Sequence, residues 1–382
     1  MNKIRYFDHA ATTAVNDQVL KTMLPYFSTE YGNPSSMYGI ARSARRAVEE
    51  SREKIAHIIN ANKNEIYFTS GGSESDNLAI KGIAYANKEK GKHIITSKIE
   101  HHAILESCET LEKEGYEVTY LNVDENGFVD LEELKNSIRE DTILITIMFA
   151  NNEIGTIEPI KEIGEIAKEN NIIFHTDCVQ AMGNCLIDVK DMNIDALSMS
   201  GHKVYGPKGI GVLYVKEGIE FEKLQNGGHQ EKNKRAGTEN VPGMIGVGAA
   251  LEIAYNHFEK NTNHLKTLRD YYLEQVEKKI PNVKLNGDRE KRLPGNCNIS
   301  FEGIEGEELL LKLDEKGICA SAGSACSTGD TEPSHVLTAI GLEPELALGA
   351  LRVTFGKENT IEDVDYLVEN LEKIVKEIRN KE

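Results

Sequence analysis

Between Glu65 and Val215 the sequence alternates short β-rich runs with amphipathic helical runs, and no other feature limits the fold as much. "EIYFTS" reads as a strand and "SESDNLAIKGIAYA" as the helix after it. "KHIITS", "YEVTYLNV" and the apolar "TILITIMFA" read as further strands, and Pro159 opens the helix "PIKEIGEIAKENN". "IIFHTD", "ALSMS" and "GIGVLYV" complete the series. Strands separated by helices pair in parallel, because a parallel connection needs a long crossover. Such a sheet is covered on both faces, so its strands read as nearly unbroken apolar runs.

Around Val241 the texture changes. A helical pattern runs from about Met244 to Lys279 with a break near Asn261. "VKLNG", "NCNISFEG", "ICASAG" and "ALRVTFG" read as strands, "GEELLLKLDEKG" as a helix, and a last amphipathic helix starts at Ile361. The predicted architecture is α/β, with a mostly parallel sheet in a large domain (14–257). A smaller α+β domain is formed by residues 1–13 and 258–382. A chain of 382 residues suits about two or three domains.

The 62 acidic residues outnumber 44 basic ones, and a net charge of −18 opposes bulk binding to nucleic-acid phosphates. The six cysteines form no C-x-x-C pair and no zinc spacing, which points to a reducing compartment rather than a disulfide framework. "MNKIRYFDHAATT" lacks the apolar core of a signal peptide, and "ILITIMFA" is far shorter than the roughly 20 residues of a membrane span. The expectation is a soluble, cytoplasmic protein.

Three motifs carry chemistry. "TSGGSESDN" puts Gly71, Gly72 and Ser73 between a strand and a helix. Glycines admit a close ligand, and a helix N-terminus offers free N–H groups to an anion. The alternative is an ordinary turn with Ser73 as N-cap. "IIFHTDCVQ" ends a strand on Asp177, followed by Gln180; strand ends line the ligand crevice of a parallel sheet, and a carboxylate there can meet a protonated ring nitrogen or simply cap a turn. "SMSGHKVYGPKGIG" holds Lys203 after a strand, among small and polar neighbours. A lysine in a pocket can form an imine with an aldehyde, although most lysines are surface groups. Anion turn, acid and lysine, in that order at strand ends, match the needs of pyridoxal phosphate.

A fourth stretch, "SAGSACSTG", sets Cys326 among small residues with no local base. Tight packing of a thiol is improbable there, and the sequence implies a tether that moves. Cys185, Cys297, Cys319 and Cys108 lie in apolar or helical runs and read as structural.

"DHAATT", "GNPSS", "TSGGSESDNLAIKG", "EHHAIL", "NNEIGT", "HTDCVQ", "SGHKVYGPKGIG", "RAGTEN" and "GSACS" together resemble the NifS/IscS-type cysteine desulfurases. These belong to the class V aminotransferase family of fold-type I pyridoxal-phosphate enzymes, and the motifs come in family order over nearly the whole chain. The resemblance implies that Lys203 bonds the cofactor and that Gly72, Ser73, Ser200 and His202 hold its phosphate. Thr238 would reach the phosphate of a neighbouring subunit, making the protein a homodimer. Asp177 would meet the ring nitrogen and Gln180 the ring hydroxyl. His101 would stack over the ring and shuttle protons, with helix capping as its alternative role. Asn152 would sit beside cofactor and substrate. Arg352 would clamp the substrate carboxylate, with an ion pair as its alternative.

Under the same resemblance, Cys326 would take sulfur from L-cysteine as a persulfide, leaving L-alanine. The sulfur would feed iron–sulfur assembly or tRNA thiolation through a scaffold protein or other acceptor, and Cys326 would transiently ligate an iron–sulfur cluster. Tyr38 stands where the family often has histidine, His229 where it has glycine, and Cys178, read as a small buried filler, where it has alanine. Two rival readings are another class V enzyme, such as a selenocysteine lyase or an aminotransferase, and a catalytically poor sulfur carrier.

Overall fold

The computed structural model describes residues 4–322 and 333–380. A short strand, β1 (Arg5–Tyr6), opens the chain. Seven strands then build the main sheet: β2 (Ile66–Thr69), β3 (His93–Ser97), β4 (Glu117–Leu121), β5 (Thr142–Thr146), β6 (Ile173–Asp177), β7 (Ala196–Ser200) and β8 (Gly211–Val215). Their order is β2-β8-β7-β6-β5-β3-β4. Only β8 runs against its neighbours; the other pairs are parallel. The mostly parallel sheet expected from the alternation is thus present, with one reversed strand.

The period of two along each strand divides the core. Ile94, Leu144, Ala196 and Leu213 face one way and pack with Ile80 and Ile83 of the helix Gly72–Asn87. Their neighbours Ile95, Ile145 and Leu197 face the other way and pack with Val48 and Ile55 of the helix Gly39–Ile58 and with Val247 and Leu251 of the helix Val241–Asn256. Each such Val, Leu or Ile side chain, fully buried, contributes roughly 1.5–3 kcal/mol.

A second core gathers Phe7, Leu268, Tyr272, Ile299, Leu351, Val353, Leu367 and Leu371. It lies between the helices Phe258–Lys279 and Ile361–Arg379 and the antiparallel strands β9 (Val283–Asn286), β10 (Asn296–Phe301) and β12 (Ala350–Thr354). β1 pairs with β11 (Ile318–Cys319), and Asp8 bridges to Thr354, so the first residues run into this C-terminal part.

Three details differ from the sequence expectation. The long helix breaks at His257, four residues before Asn261, where the backbone leaves helical angles. "ICASAG" pairs as a strand only over Ile318–Cys319. The helix Gly39–Ile58, whose buried stripe holds alanine, serine and arginine beside only Val48 and Ile55, carries little apolar signal in its sequence and was not anticipated. Among the described residues no helix is long and apolar enough to cross a membrane.

Candidate active site

The carboxyl ends of β6 and β7 and the N-terminus of the helix Gly72–Asn87 open into a cleft of about 240 Å³. Gly72, Ser73, His101, Asn152, Asp177, Gln180, Ser200, His202, Lys203 and Arg352 all line it, so ten of the residues singled out in the sequence converge on one site. Ala10, Ala11, Asp76, Met148, Ala150 and Val179 complete the wall without having been anticipated. Backbone carbonyls such as those of Ala10 and Ala11 leave no mark in a sequence.

Lys203 sits in the turn after β7. Its Nζ donates to the Ala11 carbonyl at 2.8 Å and to the Ala10 carbonyl, so the amine is drawn to the "HAAT" segment. Gln180 Nε2 donates to the same Ala10 carbonyl at 3.0 Å. Asp177 ends β6, and its Oδ1 accepts the Val179 N–H at 2.8 Å. Burial raises its carboxyl, while His101, the Val179 N–H and Lys203 pull it back toward ionisation.

The helix begins at Gly72 with Gly71 as N-cap, which removes the reading of Ser73 as the cap. The first N–H groups of a helix have no intrahelical partner. Thr12, Lys208, Ser200 and His202 join that terminus around a continuation of the cleft of about 400 Å³. Glu74, also there, is held by Arg235 at 2.8 Å and by the Ser70 N–H at 2.7 Å. A Cβ on Gly72 would meet Val179 Cγ2 at 2.7 Å, so the close approach of helix and β6 loop requires glycine. His202 is pushed down to about 4 by burial, with Lys203 and Lys208 adding to the effect, so its ring is neutral at pH 7.

His101 both caps and lines. Its Nδ1 accepts the Ala103 N–H at 3.1 Å at the start of the helix His102–Lys113. Burial lowers its pKa, so the ring is neutral and carries its proton on Nε2. Arg352 likewise fills both roles. Its Nη2 pairs with Asp8 at 2.9 Å, its Nη1 donates to the Asn152 carbonyl at 3.1 Å, and its buried Nε has no partner.

Cys326 lies outside the described residues, but both flanks of its segment are bonded to residues that line the cleft or stand next in sequence to ones that do. Ser321 exchanges backbone hydrogen bonds with Arg352 at 3.2 and 2.7 Å. On the other side Ser334 Oγ donates to Glu153 at 2.6 Å and His335 Nε2 reaches the Glu100 carbonyl at 3.0 Å. Thr238 is exposed and lines neither part of the cleft of its own chain. Burial, as the largest cause, raises the pKa of each of the five described cysteines, with Cys108 and Cys185 at about 12 and Cys297 at about 11, so none is poised as a thiolate. No group of three or more His, Cys, Asp or Glu among the described residues has metal-site geometry.

The sheet, the cleft at its strand ends and the acid–lysine–anion arrangement define a class, and the chain belongs to it: aminotransferase class-V, a family that matches residues 5–367. More narrowly, a Clostridium botulinum protein named cysteine desulfurase IscS is 58% identical over 381 residues, covering 99% of this chain and 96% of its own. A Methanosarcina thermophila protein of the same name is 56% identical, covering 99% and 94%. A solved NifS-like protein superposes with a TM-score of 0.92 at 37% identity, covering 98% of this chain and 99% of its own.

The cofactor of this family is pyridoxal phosphate, and the donor set fits it. The cleft offers an amine for its aldehyde, a buried carboxylate for its ring nitrogen, and helix N–H groups beside a serine and a neutral histidine for its phosphate.

Proposed function

We propose that the protein is a cysteine desulfurase, converting L-cysteine to L-alanine and passing the sulfur to Cys326. The observation that carries this is the convergence of Lys203, Asp177, His101 and Arg352 on one cleft, with Ser321, before the Cys326 segment, bonded to the backbone of Arg352. The relatives named cysteine desulfurase support it, as does a solved structure titled SspA in complex with cysteine, 40% identical with a TM-score of 0.83.

When bound, pyridoxal phosphate supplies an aldehyde and an electron-withdrawing ring that loosen bonds at the α- and β-carbons of an amino acid. Lys203 provides the amine for that aldehyde. Asp177 holds a proton on the ring nitrogen, and Gly72, Ser73, Ser200 and His202 bind the phosphate. Gln180 meets the ring hydroxyl, and Asn152 lies beside the substrate. Arg352 receives the substrate carboxylate, its Nε being a donor without a partner. His101, with its proton on Nε2, gives and takes protons at that atom. The Cys326 thiolate attacks the substrate Sγ; an S–S bond forms as Cβ–Sγ breaks, and the electron pair stays on carbon, which takes up a proton to give alanine.

The same reading makes the protein a homodimer, with Thr238 completing the phosphate site of the other subunit. The exposed apolar side chains of Leu24, Phe27, Tyr31, Met37 and Tyr38 support an interface on that segment. It also divides the chain near residue 258, sets it in the cytoplasm, and hands the sulfur to an iron–sulfur scaffold, a tRNA-thiolation partner or another acceptor. The five free described cysteines fit a reducing setting. Purified protein supplied with pyridoxal phosphate should be yellow and should release alanine and sulfide in equal amounts from L-cysteine with a thiol reductant. Lys203→Ala should lose the visible band and the turnover; retention of both removes Lys203 from the site.

A further inference from the structure

Asp76 belongs to no role described so far. It lies one turn into the helix Gly72–Asn87, is 1% exposed, and lines the cleft beside Asp177. Two carboxyl groups therefore share the wall that faces the cofactor ring. Like charges this close in a buried site do not both ionise readily, and their surroundings decide which one does.

The surroundings are unequal. Asp177 has the Val179 N–H on its Oδ1, and His101 and Lys203 stabilise its charge. Asp76 has less support, a hydrogen bond from Ser198 and none from a backbone N–H or a cation. Its Oδ1 has no hydrogen-bond partner, and its nearest basic group is His175 Nε2 at 3.9 Å. That ring is fully buried and engaged at both nitrogens, with Thr146 Oγ1 at 2.9 Å and Ser198 Oγ at 3.0 Å. Burial pushes His175 down to about 3, so it brings no positive charge. The other groups acting on Asp76 are Ser198 from β7, which favours ionisation, and Asp177 and Glu100, which oppose it. Burial is the largest influence and also opposes it, so the Asp76 carboxyl lies well above the usual carboxylate range.

We propose that Asp76 is a positioning residue, a neutral carboxylic acid beside Asp177 that leaves Asp177 as the one carboxylate available to the cofactor ring. An ionised Asp76 would put a second negative charge into the wall and raise the proton affinity of His101, Lys203 and the ring together. A neutral one leaves Asp177 as the negative charge that raises the affinity of His101, against burial and the nearby Lys203, His102 and His335. The proposal rests on the reading of Asp177 as the partner of the ring nitrogen.

Infrared difference spectra of the holoenzyme at neutral pH assign the proton. Asp76→Asn should remove one carboxylic-acid C=O stretch and no carboxylate stretch. Asp177→Asn should remove carboxylate stretches and keep every acid stretch; this arm stands alone if Asp76→Asn does not fold. Loss of carboxylate stretches in Asp76→Asn, or of an acid stretch in Asp177→Asn, overturns the proposal. The visible band of the bound cofactor gives a second readout. Its pH midpoint should move by less than about 0.3 unit in Asp76→Asn, because no charge is removed, whereas a fall of about one unit shows that a negative charge has gone and overturns it. A wild-type protein with no visible band defeats the cofactor reading instead, and the infrared arms still report which carboxyl carries the proton.

Discussion

Arg352 spends two of its three nitrogens on Asp8 and the Asn152 carbonyl and keeps Nε in reserve. Under the proposed function, a substrate carboxylate would meet a guanidinium already oriented by an internal carboxylate and would compete with Asp8 for the fork. Lysine has one point charge and no fork, so Arg352→Lys should raise the KM for L-cysteine by about tenfold to a hundredfold, the worth of one charged hydrogen bond. The visible band should stay in place, and steady-state kinetics beside an absorption spectrum check both. His101→Gln should keep the cofactor and lose about 10²- to 10⁴-fold in kcat, the usual share of a positioned acid–base group; a rate within a factor of three removes His101 from proton transfer. Lys203, Asp177 and Gly72 were legible in the sequence because each stands at a strand end or turn, where side-chain direction follows from the fold class. Asp76 was not, because a carboxylate one turn into an amphipathic helix reads as a solvated group. The Arg352–Asp8 pair was hidden by the 344-residue separation of its partners.

Among the elements, the segment from Glu231 to Asn233 carries the most strain. Its three residues all have positive φ, at 44°, 56° and 64°. The left-handed region costs an L-residue roughly 1–2 kcal/mol, so three in succession need an external hold. Arg52 supplies it from the helix Gly39–Ile58. Its Nη1 and Nη2 donate to Glu231 at 2.8 and 2.9 Å, and the Phe68 N–H of β2 donates to the same carboxylate at 2.8 Å. Both charged side chains are buried. Arg52→Met should destabilise the fold by about 3–5 kcal/mol, because it strands a buried carboxylate in a turn that depends on it. Chemical denaturation measures this, and a loss under about 1 kcal/mol contradicts the anchoring role. The main-sheet strands were legible because burial on both faces writes continuous apolar runs. The reversal of β8 was not, since a strand buried on both faces looks alike in either direction.

At the scale of the whole molecule, stability should depend on pH through Glu100, which is pushed up to about 8, first by burial. A carboxyl raised in the folded state stabilises fully below its unfolded pKa and loses that contribution as pH rises through the folded value. Between pH 4.5 and 8 this one group should cost up to about 1.4 kcal/mol per unit of pH. Glu100→Gln should flatten the slope of unfolding free energy over that window, and an unchanged slope contradicts the assignment. The mostly parallel sheet followed from the texture of the sequence, because unbroken apolar runs record burial on both faces. The direct test of the central claim, that sulfur leaves cysteine through Cys326 in a cleft otherwise complete, is the alanine yield of Cys326→Ser from two substrates. L-cysteine needs a thiolate to take its sulfur, whereas the sulfur group of cysteine sulfinate departs without nucleophilic attack. The variant should lose more than about a hundredfold in alanine from L-cysteine while holding alanine from cysteine sulfinate within a few-fold of wild type. Equal loss with both substrates, or loss with neither, would contradict it.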